Sequence, residues 1–303
     1  MTVVAVVGPT ATGKTALSLA LAAELGGEVV NADSMQLYRG MDIGTAKLGA
    51  AERNGIDHHV LDIWDVTEPA SVAEYQRLAR AAIDDIAARN RVPLLVGGSG
   101  LYVRAVLEDF EFPGTDPDLR ADLESDLATH GPAALHERLR ERDPAAAERI
   151  LPTNGRRIVR ALEVITITGR PFVAELPAPA PVYEAVQVGV DRDTADLDDR
   201  IARRVDEMWA AGLVAEVSGL VGVGLREGRT ASRALGYQQV LRFLDGECTE
   251  DEARRETVRA TRRFVRRQRS WFRRDPSVRW LDAARPDLVD AALALVAESP
   301  CDF

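Results

Sequence analysis

Gly8-Pro9-Thr10-Ala11-Thr12-Gly13-Lys14-Thr15 fits G-x-x-x-x-G-K-[ST] at every specified position, and it restricts the fold more than any other stretch of this chain. Thr2–Val7 precedes it, a short apolar, β-branched run that reads as a buried strand. Thr15–Leu25 follows with apolar residues at helical spacing and stops at Gly26-Gly27. A strand, a glycine-rich turn and a helix in that order give the motif its chemistry. Backbone N–H groups and the positive end of the helix cradle a polyphosphate, Lys14 reaches its terminal oxygens, and the Thr15 hydroxyl can ligate Mg²⁺. A chance glycine-rich turn is the plain alternative, and the strand–helix context disfavours it.

The rest of the chain extends this start. Glu28–Asn31 reads as a second strand leading to Asp33. Ser71 to Asn90 is an alanine-rich helix, with Ser71 and Glu74 at capping-box spacing. Arg91 to Val96 is a third strand, closed by Gly97-Gly98-Ser99-Gly100. The alternation specifies an α/β fold: a P-loop NTPase-like parallel sheet with helices on both faces. From Asp116 to about Gly169 the pattern is helical only, broken at Gly131-Pro132, Asp143-Pro144 and Leu151-Pro152. Pro-Ala-Pro-Ala-Pro at 177–181 is a stiff connector, and Val186–Val190 resumes as a strand. The expected organisation is a core of residues 1–113 and 181–303, interrupted by an all-helical insertion at 114–180.

Composition narrows the function classes. No apolar run approaches the roughly 18–20 residues of a membrane span, and no basic region precedes the first apolar stretch. Cys248 and Cys301 stand far apart and make neither a disulfide framework nor a zinc site, so a cytoplasmic protein is expected. The net charge of −10 argues against a nucleic-acid binder until its distribution is seen. From Ala253 to Arg279 there are eleven arginines against two acids, Glu256 and Asp275. A local basic stripe binds phosphate backbone whatever the total. Of 38 basic residues, only Lys14 and Lys47 are lysines, which suits positions that need a compact ammonium.

Several residues stand out as chemistry. Asp33 lies just past a strand's C-terminal end, the edge where open α/β sheets bind ligands, although an Asp there can also be a helix cap. The strand 94–96 ends in glycines, without the Mg²⁺-binding Asp of hydrolases, and no guanine-reading Asn-Lys-x-Asp occurs. The loop is therefore expected to hold a diphosphate that leaves, with a small-molecule or nucleotide kinase as the rival reading. His58-His59 is expected to be structural, because neighbours on a strand face opposite sides. Thr249-Glu250-Asp251-Glu252 starts a helix on which Arg255, Arg259, Arg262, Arg266, Arg269 and Arg273 share one face. Like charges at that spacing destabilise a helix unless neutralised, and RNA phosphates would do so, with Arg262 and Arg266 as outward contacts. A non-catalytic RNA-binding module would explain these arginines but not the P-loop. Arg156, Arg157 and Arg160 form a smaller cluster at an insertion-helix start.

Together these residues resemble the bacterial tRNA dimethylallyltransferase family. The likeness covers the P-loop, Asp33 to Lys47, His58-His59 with Leu61-Asp62-Ile63, Pro93–Tyr102, Arg157–Glu163, Arg200 to Glu216, Ala234–Tyr237 and Ala260 to Arg274. The resemblance implies transfer of a dimethylallyl group from dimethylallyl diphosphate to N6 of the tRNA adenine beside the anticodon. A relative acting on free adenosine phosphates would share the P-loop and the base. It implies that Gly8, Pro9, Thr10, Ala11, Thr12, Gly13, Lys14 and Thr15 hold the diphosphate with Mg²⁺. Asp33 is the implied general base, and Arg204 assists the diphosphate. Asp33, Ser34, Met35, Gln36, Ser99, Arg120 and the segment Arg156, Arg157, Ile158, Val159, Arg160 are the implied tRNA contacts. The insertion would close over the anticodon arm. Apart from the resemblance, a monomer is expected. Ser99 stands where the family often has Thr, Arg156 where it often has Gln, and Thr12 where Ser is common.

Overall fold

The computed structural model describes residues 2–172 and 180–298. In chain order the elements are β1 (Thr2–Val7), α1 (Lys14–Leu25), β2 (Glu28–Asn31), β3 (His58–His59), α2 (Val72–Ala88), β4 (Pro93–Gly97) and α3 (Gly100–Leu107). Then come α4 (Pro117–Arg142), α5 (Pro144–Arg149), α6 (Gly155–Thr168) and β5 (Glu184–Asp191). The last are α7 (Thr194–Ala210), α8 (Leu213–Val221), α9 (Tyr237–Leu244), α10 (Glu250–Phe272), β6 (Val278–Asp282) and α11 (Leu288–Ala297). The chain divides into a core unit, Met1–Glu108 with Pro181–Phe303, and a second unit, Asp109–Ala180.

In the core unit the strands form one parallel sheet in the order β3-β2-β4-β1-β5-β6. β1 sits inside it because every residue from Thr2 to Val7 is buried, as a strand covered on both faces requires. Val3, Ala5 and Val7 face one layer with Tyr75, Ile83 and Val103. Val4 and Val6 face the other with Leu17, Leu21, Ala292 and Val296. Helices therefore cover both faces of a parallel α/β sheet, as the alternation of elements requires. The chain builds β2–β4 on one side of β1 and β5–β6 on the other, so a crevice opens at the C-terminal end of β1.

Local signals explain the boundaries. Ser71 accepts the Glu74 N–H, and Thr249 caps α10 with Glu252 returning to its backbone, so both acidic capping positions are used. His58 and His59 are structural: His58 Nδ1 meets the Ile56 carbonyl, and His59 Nε2 lies 2.7 Å from Glu28 Oε2. No group of three or more His, Cys, Asp or Glu able to hold a metal occurs among the described residues.

The second unit is helical. Asp116, Asp143 and Asn154 cap α4, α5 and α6, and Gly131 at φ 76° kinks α4 beside Pro132. Its core gathers Leu123, Leu135, Leu139, Ile158, Val159 and Leu162. This corrects the expectation that Ile158 and Val159 touch tRNA. The period of α6 turns both inward, where they are 0% and 2% exposed, while Arg156 and Arg157 stay outside. Buried Glu163 accepts hydrogen bonds from both Arg120 and Arg160, and Arg160 also donates to the Gly114 and Pro113 carbonyls. Residues 177–179 of the Pro-Ala connector and Cys301 lie outside the described residues.

Candidate active site

A cavity of about 420 Å³ occupies the crevice at the C-terminal edge of the sheet. The loop after β1, the segment after β2, the end of β4 and one face of α7 line it. The loop must pass close to the next strand. A Cβ on Gly8, at φ +140°, would lie 2.3 Å from the Val190 carbonyl oxygen. Lys14 donates to the Pro9 carbonyl at 2.6 Å, and buried Thr12 donates to the same oxygen at 2.9 Å. Arg200 Nε holds the Ala11 carbonyl at 2.9 Å and Arg192 Nε the Thr12 carbonyl at 3.1 Å, so two arginines brace the loop from outside. Of the eight motif residues, Thr10, Ala11, Gly13, Lys14 and Thr15 line the cavity. Gly8, Pro9 and Thr12 shape the loop behind them.

Asp33 shares this cavity with Lys14, Gln36 and Arg204. Asn31 sets its backbone, accepting the Asp33 N–H at 3.0 Å and donating to the Asp33 carbonyl at 3.1 Å. Asp33 Oδ1 accepts the Met35 N–H at 3.0 Å, so the capping alternative describes one oxygen, while the same side chain reaches the cavity. Burial pushes the Lys14 ammonium down to about 8; the charge of Asp33 opposes this and Arg204 adds to it. Burial also lowers Arg204, against Asp33 and Glu207. Desolvated cations facing one carboxylate are a site prepared for an anion. Ser34 and Ser99 lie beside it: the Ser34 N–H donates to Ser99 Oγ at 3.1 Å, outside the cavity lining. Met35 packs on the core.

The end of β4 explains the missing acid. A Cβ on Gly97 would lie 2.1 Å from the Ala32 carbonyl oxygen, so no side chain fits at the Mg²⁺-binding position of hydrolases.

Residues to which the sequence assigns no role of their own also build the site. Gln268 on α10, 6% exposed, accepts the Thr10 N–H at 3.0 Å and donates to the Gly98 carbonyl at 2.8 Å, tying the P-loop to the β4–α3 turn. Glu216 accepts the N–H groups of Asp42, Ile43 and Gly44 and the Tyr237 hydroxyl, fixing the segment whose Thr45 carbonyl receives Arg204. Lys47, 3% exposed, holds the Tyr38 carbonyl, Asp42 and Asp62 together. Arg200, Arg203 and Glu207 join Arg204 through the helical period of α7, at spacings of three and four.

The arginine stripe of α10 is corrected in part. Arg262 was expected to face outward, yet it leans on α7 and donates to the Asp198 carbonyl at 3.2 Å. Arg259 pairs with Glu256, and Arg269 and Arg273 pair with Asp191. Protein acids thus relieve most of the like-charge repulsion, and Arg266 stays exposed.

The parallel doubly wound sheet, the P-loop motif after its central strand and the cationic crevice define the P-loop class of α/β folds. The IPP transferase family matches residues 36–275. Proteins named tRNA dimethylallyltransferase are similar along the chain: 75% identical over 295 residues in Salinispora arenicola, covering 97% of this chain and 86% of the relative, and 65% identical in Thermobifida fusca, covering 98% and 95%. The crystal structure of a full-length tRNA isopentenylpyrophosphate transferase from Bacillus halodurans is 42% identical, with TM-score 0.73, covering 98% of this chain and 96% of that one. A eukaryotic dimethylallyltransferase acting on tRNA, 24% identical with TM-score 0.84, shares the fold over 100% of this chain and 81% of its own. The chain belongs to the IPP transferase family, whose members are prenyl-transferring enzymes.

Proposed function

We propose that this enzyme transfers the dimethylallyl group of dimethylallyl diphosphate to N6 of the adenine beside the anticodon, position 37, in tRNA and releases diphosphate. The observation that carries the reading is one cavity in which Asp33 faces Lys14, Arg204 and the P-loop. An exocyclic adenine amine is a weak nucleophile, because its lone pair is delocalised into the ring. Asp33 accepts the N6 proton as the N6–C1 bond forms and the C1–O bond to diphosphate breaks. Lys14, Arg204 and the loop N–H groups stabilise the charge gathering on the departing diphosphate. The adenine leaves its stack to reach a site at the sheet edge.

Thr15, the second residue of α1, is exposed at the cavity, the place from which a hydroxyl would meet a phosphate-bound Mg²⁺. One protein oxygen suits an ion that takes its remaining ligands from phosphate and water. Bound there, Mg²⁺ neutralises charge on the diphosphate.

Arg156 and Arg157 on the second unit and Arg266 on α10 are the exposed cations proposed for tRNA, with Ser34, Gln36 and Ser99 near the target base. Arg120 and Arg160 support that face through Glu163. The proposed working form is a cytoplasmic monomer; no helix among the described residues is long and apolar enough to cross a membrane. Labelled dimethylallyl diphosphate offered with unmodified tRNA, with adenosine monophosphate or with no acceptor tests the reading. Label in tRNA alone supports it, and label in the free nucleotide, or ATP consumption in place of transfer, overturns it.

A further inference from the structure

One turn of the chain after Asp33 is gripped at both ends by a single helical corner. Residues 42–47 make that turn: the Lys47 N–H donates to the Asp42 carbonyl and the Ala46 N–H to the Ile43 carbonyl. The consecutive N–H groups at its start, those of Asp42, Ile43 and Gly44, converge on the Glu216 carboxylate at 3.1, 2.7 and 3.3 Å. Toward its other end the Thr45 carbonyl accepts Arg204 at 3.3 Å and the Gln36 amide at 3.1 Å. Arg204 stands on α7 and Glu216 on α8, and Gly212 at φ 99° turns one helix into the other. A carboxylate on the N–H end and a guanidinium on the carbonyl end match the dipole of the turn. Glu216 is itself held. It accepts the buried Tyr237 hydroxyl at 2.5 Å, and burial with the Glu216 charge pushes that hydroxyl up, so it stays a donor. The Tyr237 ring packs against the turn: a Cβ on Gly44 would lie 2.4 Å from it. Glu216 and Tyr237 stay outside the cavity lining, whereas Gln36, Thr45 and Arg204 belong to it.

We infer that Glu216 is a positioning residue for the diphosphate site: through the turn it holds the Thr45 carbonyl where Arg204 keeps its other N–H donors on the cavity. The inference rests on the diphosphate reading above. Among the described residues the Thr45 carbonyl is the one hydrogen-bond acceptor of Arg204, so the place of this turn decides where the guanidinium sits. A guanidinium carries several N–H donors in a rigid fork, and one of them fixed on a carbonyl orients the rest. An Arg side chain that is not held loses rotamer freedom when it binds an anion, and preorganisation removes that cost. The donor set also explains a carboxylate at residue 216. Three N–H groups and one hydroxyl meet it, which suits two acceptor oxygens better than the single oxygen of an amide.

The test is a double-mutant cycle on the full chain, read by calorimetric titration with inorganic diphosphate in the presence of Mg²⁺. Arg204→Ala weakens diphosphate binding about 10- to 150-fold, the range for a hydrogen bond to a charged group. Glu216→Ala removes nothing from the cavity lining, yet it weakens binding about 10-fold, on the scale of the rotamer freedom that an unheld Arg regains. In the Arg204→Ala background the same change costs less than about twofold, because the group it positions is gone. Glu216→Gln, which keeps one acceptor oxygen, falls between wild type and Ala, and it carries the cycle where Glu216→Ala does not fold. Gly44→Ala pushes the turn off the Tyr237 ring with Glu216 in place and reproduces both the loss and its dependence on Arg204. A Glu216 that only stabilises the fold lowers Tm but leaves the Kd of the folded protein unchanged, or changes it by the same factor with and without Arg204. Either result overturns the positioning role while prenyl transfer by the wild type stays intact. A wild type that does not bind diphosphate overturns the positioning role and the functional reading together.

Discussion

Replacing Gln268 with Met tests how α10 supports the P-loop. Methionine has nearly the same length and fills the same space, but it can neither accept the Thr10 N–H nor donate to the Gly98 carbonyl. Both backbone groups lie where Gln268 is 6% exposed, so water replaces the lost partners poorly. A buried polar group left without a partner costs about 1–3 kcal/mol, so the fully rigid case loses about 2–6 kcal/mol of stability. Relaxation moves part of that cost from folding to binding. If the loop shifts to satisfy Thr10, the cradle is displaced, and dimethylallyl diphosphate binds about 10- to 100-fold more weakly, or about 1.4–2.7 kcal/mol. Gln268→Glu keeps an acceptor for Thr10 and should fall between wild type and Met. Thermal unfolding and calorimetric titration with the diphosphate read the two shares, and a Tm loss of about 4 °C or more accompanies a purely structural cost. A Met variant with wild-type Tm and wild-type Kd would refute the reasoning.

The remaining predictions use groups whose charge the fold has shifted. Arg89, with help from His59, holds the Glu28 carboxylate down at about 2 against the cost of burial, with Arg91 also within 2.8 Å. Its folded value is below the unfolded one, so its contribution of about 3 kcal/mol is present above pH 4.5 and fades as pH falls toward 2. Glu28→Gln should therefore lower Tm at pH 7 and flatten its acid dependence, and an unchanged acid limb counts against the pairing. Lys14, pushed down to about 8, is already protonated at lower pH and must take up a proton when it binds an anion at higher pH. Diphosphate binding should be flat below pH 8 and weaken by up to about tenfold per unit above it, with proton uptake at pH 9 visible in buffers of different ionisation enthalpy. Lys14→Arg should lose diphosphate use on the order of 10²-fold, because a planar fork does not replace the point charge that donates to Pro9. Full activity in that variant removes the reason for a lysine here.

Much of the architecture is legible because its signals are local. The run Thr2–Val7, the glycines of the P-loop and the Ser71 and Thr249 caps each carry a backbone consequence within a few residues. The site divides on the same line. Lys14 and Thr15 follow from the motif alone. Asp33 needs the parallel order of the sheet before it comes beside them. Gln268 and Glu216 are invisible because their partners lie far along the chain: 258 residues separate Gln268 from Thr10 and 173 separate Glu216 from Ile43. The arginine helix shows the converse limit. Spacing shows which arginines share a face, but not that Asp191 and Asp198 on other elements already occupy it. Ile158 and Val159 show that a run of adjacent residues on a helix cannot all face one ligand, since successive side chains turn by about 100°.

The central claim is that Asp33 takes the adenine N6 proton while the P-loop carries the diphosphate. Single-turnover transfer from labelled dimethylallyl diphosphate to unmodified tRNA, wild type against Asp33→Asn, tests it most directly when diphosphate affinity is measured on the same preparations. The Asn side chain keeps an oxygen for the Met35 N–H, so the local turn survives and only the basic carboxylate is lost. The account predicts N6-dimethylallyladenine from the wild type, a rate about 10²–10⁴-fold lower in the variant, and a Kd for the diphosphate within a few-fold of wild type. Transfer by Asp33→Asn at the wild-type rate would contradict it and leave Asp33 as a turn-capping residue.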